Sequence, residues 1–210
     1  GLEHHTPANI QGEIDHAVSH CTDFHQFMLY TPVPGTPLYA EMEQQGRMLD
    51  GVDLADIHGQ FKFNFEHAAI SRDESKKFLD WAFLRDFEKN GPSVFRICET
   101  MLQGWKRYKN HPDQRVRERF EWEMDRLRST YNASLWAMEK RLKNANAQVA
   151  ERIKTLRKDI EREFGLAARL TRIALGPVLL WASKREDRRL AAGKTYEPRT
   201  FLERRNWVEA

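Results

Sequence analysis

From Val116 to Phe164 the chain sets an apolar residue at almost every third or fourth position. The series is Val116, Phe120, Met124, Leu127, Tyr131, Leu135, Met138, Leu142, Ala145, Val149, Ile153, Leu156, Ile160 and Phe164. Steps of mostly four, four and three put these side chains on one helical face. Their mean spacing is near the roughly 3.67 residues per turn of an eleven-residue repeat, not the heptad's roughly 3.5. Unbroken, such a helix would extend roughly 73 Å at about 1.5 Å per residue. Lys143-Asn144-Ala145-Asn146-Ala147 offers a break, because two asparagines among small residues suit the turn of an αα-hairpin. One continuous helix and a hairpin both remain open. Either way the stripe reads as core or coiled-coil seam, and in the second case as a route to oligomers.

The flanking segments are helical too. Ser71-Arg72-Asp73-Glu74 is a capping box, and the helix it opens carries Phe78, Leu79, Trp81, Ala82, Phe83, Leu84 and Phe87. That face is too aromatic to stay in water and is expected to dock. Asn90-Gly91 closes this helix and Pro92 begins the next, which bears Val94, Ile97, Met101, Leu102, Trp105 and Tyr108 and breaks at His111-Pro112. Gly165 interrupts the long stripe, and Leu166 to Trp181 is the most apolar part of the chain, read as too short to span a bilayer. Lys184 to Arg205 then brings eight Lys or Arg against four acids, flanked by Trp181 and Trp207. Apolar segment and basic stretch together suit an anionic membrane surface. The competing reading is a helix buried in the bundle with a solvated basic end, and the short segment with its Gly176-Pro177 step favours it. Gly193 to Pro198 reads as irregular tail.

The first 65 residues alternate differently. A helix is expected from about Pro7 to His20, a strand at Phe24–Tyr30, a helix near Pro37–Gln45 and a further apolar run at Gln60–Phe65. Alternation of this kind implies parallel β/α units. The strand runs straight into Thr31-Pro32-Val33-Pro34-Gly35-Thr36-Pro37-Leu38-Tyr39. Pro32 and Pro34 stiffen the chain, Gly35 permits backbone angles a side chain would forbid, and Thr36 and Pro37 begin a helix.

Tyr30 through Gly46, with this Pro-x-Pro-Gly-Thr-Pro-Leu-Tyr core and the later Gln45-Gly46-Arg47, resembles the end of the sixth strand of a radical S-adenosylmethionine (radical SAM) barrel, in its cobalamin-binding branch. Gly1-Leu2-Glu3-His4-His5-Thr6 resembles the family's Gly-Leu-Pro-Gly-Glu-Thr turn after the fifth strand. Gly1, Leu2 and Thr6 match it, whereas Glu3, His4 and His5 depart from it. The resemblance covers about the first 110 residues. It implies an α/β fragment, the last β/α units of a partial TIM-type barrel, followed by a mainly α-helical domain. The expected parts are residues 1–65 (barrel end), 66–112 (helical extension), 113–165 (long helix or hairpin) and 166–210 (apolar helix and basic tail). It also places Gly1, His5, Thr6, Tyr30, Pro32, Pro34, Gly35 and Thr36 beside S-adenosylmethionine. The whole enzyme would cleave that cofactor with a 4Fe–4S cluster for radical chemistry, with methyl transfer through cobalamin as one outcome, on a small-molecule or lipid-like substrate. The family's Cys-x3-Cys-x2-Cys loop is missing, since only Cys21 and Cys98 are present. The chain is therefore expected to be a carboxyl-terminal piece that works with upstream polypeptide, assigns no residue to catalysis or metal, and is inactive alone.

Composition narrows the alternatives. A net charge of +3 with 31% charged residues gives no argument for nucleic acid. Two distant cysteines supply no disulfide framework, which suits a reducing cytoplasm. His16 and His20 share a helical face at a metal-clip spacing, but no third ligand has motif spacing. His67 reads as the polar end of the third apolar run, with a substrate-facing role as the other reading. No serine-protease order, Walker loop or dinucleotide fingerprint is present. The function class that competes with an enzyme fragment is a non-catalytic helical interaction or oligomerisation module.

Overall fold

A computed structural model describes residues 1–194. The end of the basic stretch, Trp207 and most of the irregular tail lie outside the described residues. Seven α-helices follow one another: α1 (Ile10–Ser19), α2 (Pro37–Gln44), α3 (Arg72–Asn90), α4 (Ser93–Tyr108), α5 (Gln114–Arg126), α6 (Asn132–Leu142) and α7 (Ala147–Ala191). Among the described residues there is no strand and no sheet, only an isolated antiparallel bridge between Met48 and Phe65.

The α/β expectation is thereby corrected: no TIM-type barrel fragment is present. Neither apolar run pairs as a strand, and their backbone groups go elsewhere. Phe63 N–H donates to Ser75 Oγ (3.1 Å), Phe63 O accepts from Arg72 Nε (3.0 Å), and Glu66 O accepts from Arg47. Leu49 N–H and Glu66 N–H bond to Asn64 O and Arg47 O across the lone bridge. A side chain that occupies a backbone donor or acceptor removes a rung from any ladder. Among the described residues the Phe24–Tyr30 run makes one backbone–backbone hydrogen bond, where Leu29 N–H donates to Gly59 O at 2.7 Å. Apolar runs with turn signals did not distinguish a strand from an unpaired segment held by side chains, and of Phe24–Tyr30 only Leu29 is buried.

Two clusters of buried side chains organise the chain. Ile10, Leu29, Met42, Phe63, Phe65, Ile70 and Leu79 form the amino-terminal one. Phe95, Cys98, Leu102, Met124, Leu127, Leu135, Val149, Ile153 and Ile160 belong to the other. Helix α3 reaches from one to the other. Its line Ser75, Leu79, Ala82, Asp86 and Asn90 is buried, whereas Phe83, Leu84 and Phe87 point outward, so the expected aromatic docking face is only partly used.

The long stripe folds as a hairpin. Helices α5 and α6 join through a π-helical turn at Leu127–Tyr131, and α7 returns beside them. The reversal is built where the asparagines stand. Asn146 N–H donates to Leu142 O (2.8 Å), and Asn146 Oδ1 caps α7 by accepting from Val149 N–H (3.1 Å). Its amide also reaches Glu88 O at the end of α3 (2.7 Å). Arg157 on α7 pairs across the hairpin with Glu139 on α6 (2.9 Å); within α7 it pairs with Glu161 (3.0 Å), and Arg172 pairs with Glu161 (2.6 Å). The last of these spans Gly165, where a φ of 66° and ψ of −141° break the α7 helix.

Candidate functional site

The segment carrying the resemblance is locally built as its residues dictate. Gly35 has a φ of +85°, the left-handed region that glycine enters at little cost. Thr36 caps α2, its Oγ1 accepting from Tyr39 N–H (3.3 Å), and Pro37 occupies the first turn. Ahead of the turn, Phe24 to Leu29 is pleated with a period of two. His25, Phe27 and Leu29 face inward, whereas Phe24 and Met28 are 70% and 55% exposed. Pro32 is buried, and its carbonyl accepts from Asn64 Nδ2 at 2.7 Å. Tyr30 meets Phe65 edge to face, with ring centroids 6.3 Å apart.

A separate apolar cleft of about 190 Å³ opens between α1, α3 and residues 27–29, lined by Ile14, Phe27, Leu29, Phe78 and Leu79 with Gly1 and His5 at its edge. His5 Nδ1 accepts from Leu2 N–H (2.9 Å), so the ring carries its hydrogen on Nε2. Burial first, then neighbouring positive charge, pushes the His5 ring below its ordinary value. Of the eight expected site residues, Gly1 and His5 thus border this cleft. Thr6 instead exchanges hydrogen bonds with Asn9 at the start of α1. Tyr30 and Pro32 pack on Phe65 and Asn64, and Pro34, Gly35 and Thr36 lie on an exposed turn. The structure does not bring the eight into one cavity.

His67 is structural: Nε2 donates to Leu2 O (3.0 Å), Nδ1 accepts from the Ala69 and Ile70 amides (both 3.1 Å), and its ring stacks on Phe63. The His16 and His20 rings sit edge to face 5.0 Å apart, and no metal-holding group of three His, Cys, Asp or Glu occurs among the described residues. Cys21 is exposed. Cys98 is buried, and burial pushes its thiol up to about 12. A hollow of about 530 Å³ between α4 and α7 is edged by Glu99, Lys106, Arg152 and Asp159 and includes none of the expected site residues.

Sequence reasoning missed a buried polar lock. Arg96, 3% exposed, forks onto Asp86 through Nη1 to Oδ1 (2.7 Å) and Nη2 to Oδ2 (2.8 Å). Asn90 Nδ2 donates to Asp86 Oδ1 and to Val18 O, each at 2.8 Å. His25 places Nδ1 at 3.0 Å from Asp86 Oδ1 and Nε2 at 3.1 Å from Ala17 O. Both of its nitrogens face oxygen atoms. The lock ties α1, the pleated segment, α3 and α4 together. Burial alone would raise the Asp86 carboxyl, but the Arg96 and Asn90 hydrogen bonds and the Arg96 and His25 charges hold it below its ordinary value. The sequence signal was a charged residue on an apolar line, with Asp86 following Leu79 and Ala82 at helical steps.

No family model, no curated protein and no solved structure matches this chain.

Gly35→Val is expected to cost about 1–2 kcal/mol, because a β-branched residue resists a left-handed backbone while nothing lies within 4 Å to clash with it. Gly46 has a φ of +66° and would be strained as well. Gly12→Ala, inside α1 with open space around it, is the suitable control and should be neutral or stabilising. Equal melting temperatures for the Gly35 variant and wild type would contradict the strain argument.

Proposed function

We propose that this chain is the carboxyl-terminal part of a radical SAM enzyme, and that Gly1–Thr6 and Tyr30–Thr36 contribute to an S-adenosylmethionine site completed by other polypeptide. One observation carries the reading: a segment of alternating exposure, covered on one face and running into the Pro-Gly-Thr turn, leaves its other face exposed and nearly all its backbone donors without a backbone partner among the described residues. Exposed Phe24 and Met28 beside unpaired amides are what a neighbouring chain segment covers. The cleft of about 190 Å³ falls below the roughly 300–1,000 Å³ of ligand pockets, so by itself it does not hold the cofactor.

The residues present do not fit a 4Fe–4S cluster. Such a cluster needs thiolate ligands, and this chain offers one exposed cysteine and one buried thiol held protonated. The full-length polypeptide, reconstituted anaerobically with iron and sulfide, is expected to show cluster absorption and, once reduced, to release 5′-deoxyadenosine from S-adenosylmethionine. Residues 1–210 alone should take up no stoichiometric cluster. An upstream gene sequence without Cys-x3-Cys-x2-Cys, or a full-length polypeptide that releases no 5′-deoxyadenosine, would overturn the reading. Products formed with and without cobalamin then distinguish methyl transfer from other radical outcomes.

The second reading, a helical interaction module, is favoured by a different observation. The second half of α7 leaves an apolar face uncovered.

A further inference from the structure

We propose that the second half of α7 lies on an anionic lipid bilayer, with its apolar face in the membrane surface. The inference is independent of the radical SAM reading. Leu166, Leu170, Ile173, Val178 and Trp181 are 69%, 56%, 59%, 57% and 61% exposed. Contrary to the sequence expectation, α7 contains an 18-residue window of mean hydropathy 1.3 that is long and apolar enough to cross a membrane, and only 11% of it is buried. The alternative of a helix buried in the bundle is thereby set aside.

The geometry favours lying on a bilayer over spanning it. One side of this half packs on α6. Ala168 is buried and its carbonyl accepts from Asn132 Nδ2 (2.9 Å), a side chain on Gly176 would strike the Trp136 ring, and Asp187 pairs with Arg141. A helix held this way has no free circumference for lipid, but it has one free face.

The charges name the occupant. Residues 166, 170, 173, 177, 181, 184 and 188 follow steps of four, three, four, four, three and four, so they share a line along the helix. That line reads Leu, Leu, Ile, Pro, Trp, Lys, Arg. Lys184 and Arg188 extend the apolar line without a carboxylate partner among the described residues, and Arg185 stacks on the Trp181 ring (5.5 Å). Arg169 adds an exposed cation near the other end. Apolar side chains, a tryptophan at the boundary and cations beyond it match the layering of acyl chains, interface and anionic headgroups. A second copy fits worse. The line holds no acid, so a parallel pair would set Lys184 and Arg188 against their own kind. An antiparallel pair would set them against Leu166 and Leu170.

The test is sedimentation of the full chain with vesicles of phosphatidylcholine alone or mixed with phosphatidylserine, alongside Trp fluorescence. Binding is expected on the mixed vesicles, weakened at high salt, with a blue shift that Trp181→Leu reduces. Leu170→Glu with Ile173→Glu should abolish binding and leave the melting temperature unchanged, since both side chains are exposed. Lys184→Glu with Arg188→Glu should weaken binding by at least about tenfold. No binding to the mixed vesicles would overturn the proposal. So would binding that both double variants retain, or a concentration-dependent dimer, lost in the Leu170/Ile173 variant, with no lipid binding.

Discussion

Asp86→Ala is expected to destabilise the chain by about 3–5 kcal/mol, because it strands the Arg96 guanidinium in a buried site. The Asp86 side chain is 8% exposed and that of Arg96 3%, and Arg96 Nε already lacks a partner, so no water-facing escape is at hand. Replacing both partners, as in Asp86→Ala with Arg96→Met, should recover part of the loss, since no isolated charge remains. Urea unfolding of the two single variants and the pair gives the coupling. The lock also sets an acid limit. A carboxyl held below its ordinary value contributes stability that is fully present above the unfolded value of about 3.9 and is lost as pH falls through the folded value. Wild type should therefore lose stability below about pH 4 more steeply than the double variant. A single-variant cost under about 1 kcal/mol would mean that the lock is peripheral.

The other large effect concerns the hairpin. Leu127 and Ile153 are both fully buried, on opposite arms of the reversal. Leu127→Asp and Ile153→Asp each introduce a charge with no partner and are each expected to cost about 4 kcal/mol or more. Because the seam closes within one chain, the variants should unfold at lower temperature without first passing through a folded species of smaller mass. Folded variants of reduced mass in sedimentation would instead place the seam between chains.

The helical half was legible because its signals act locally. The Ser71 capping box, the Gly91 stop, the His111-Pro112 break and the 116–164 stripe each depend on neighbours within a turn or two. The choice between one helix and a hairpin was not local. It was decided by Asn146, whose amide bonds to Glu88, 58 residues away. The amino-terminal half misled for a related reason. Phe24–Tyr30 and Gln60–Phe65 have the composition of strands, but whether two runs pair depends on which groups take their backbone hydrogens. In the second run Ser75 Oγ accepts the Phe63 N–H and Arg72 donates to the Phe63 carbonyl, while Arg47 donates to the carbonyl of Glu66 just beyond it, and no spacing rule pointed to these partners. Asp86 stood out as a charge on an apolar line, but its partners did not, because Arg96 lies across a helix boundary and His25 is 61 residues away.

We propose that a neighbouring segment of a longer enzyme covers the outward face of Phe24–Met28. Amide hydrogen exchange over residues 22–31 tests it most directly, in this chain alone and in the full-length polypeptide. The account predicts rapid exchange at Phe24, Gln26 and Met28 in the isolated chain and marked slowing in the full-length one, with Ile153 slow in both. Equally rapid exchange in the two would contradict it.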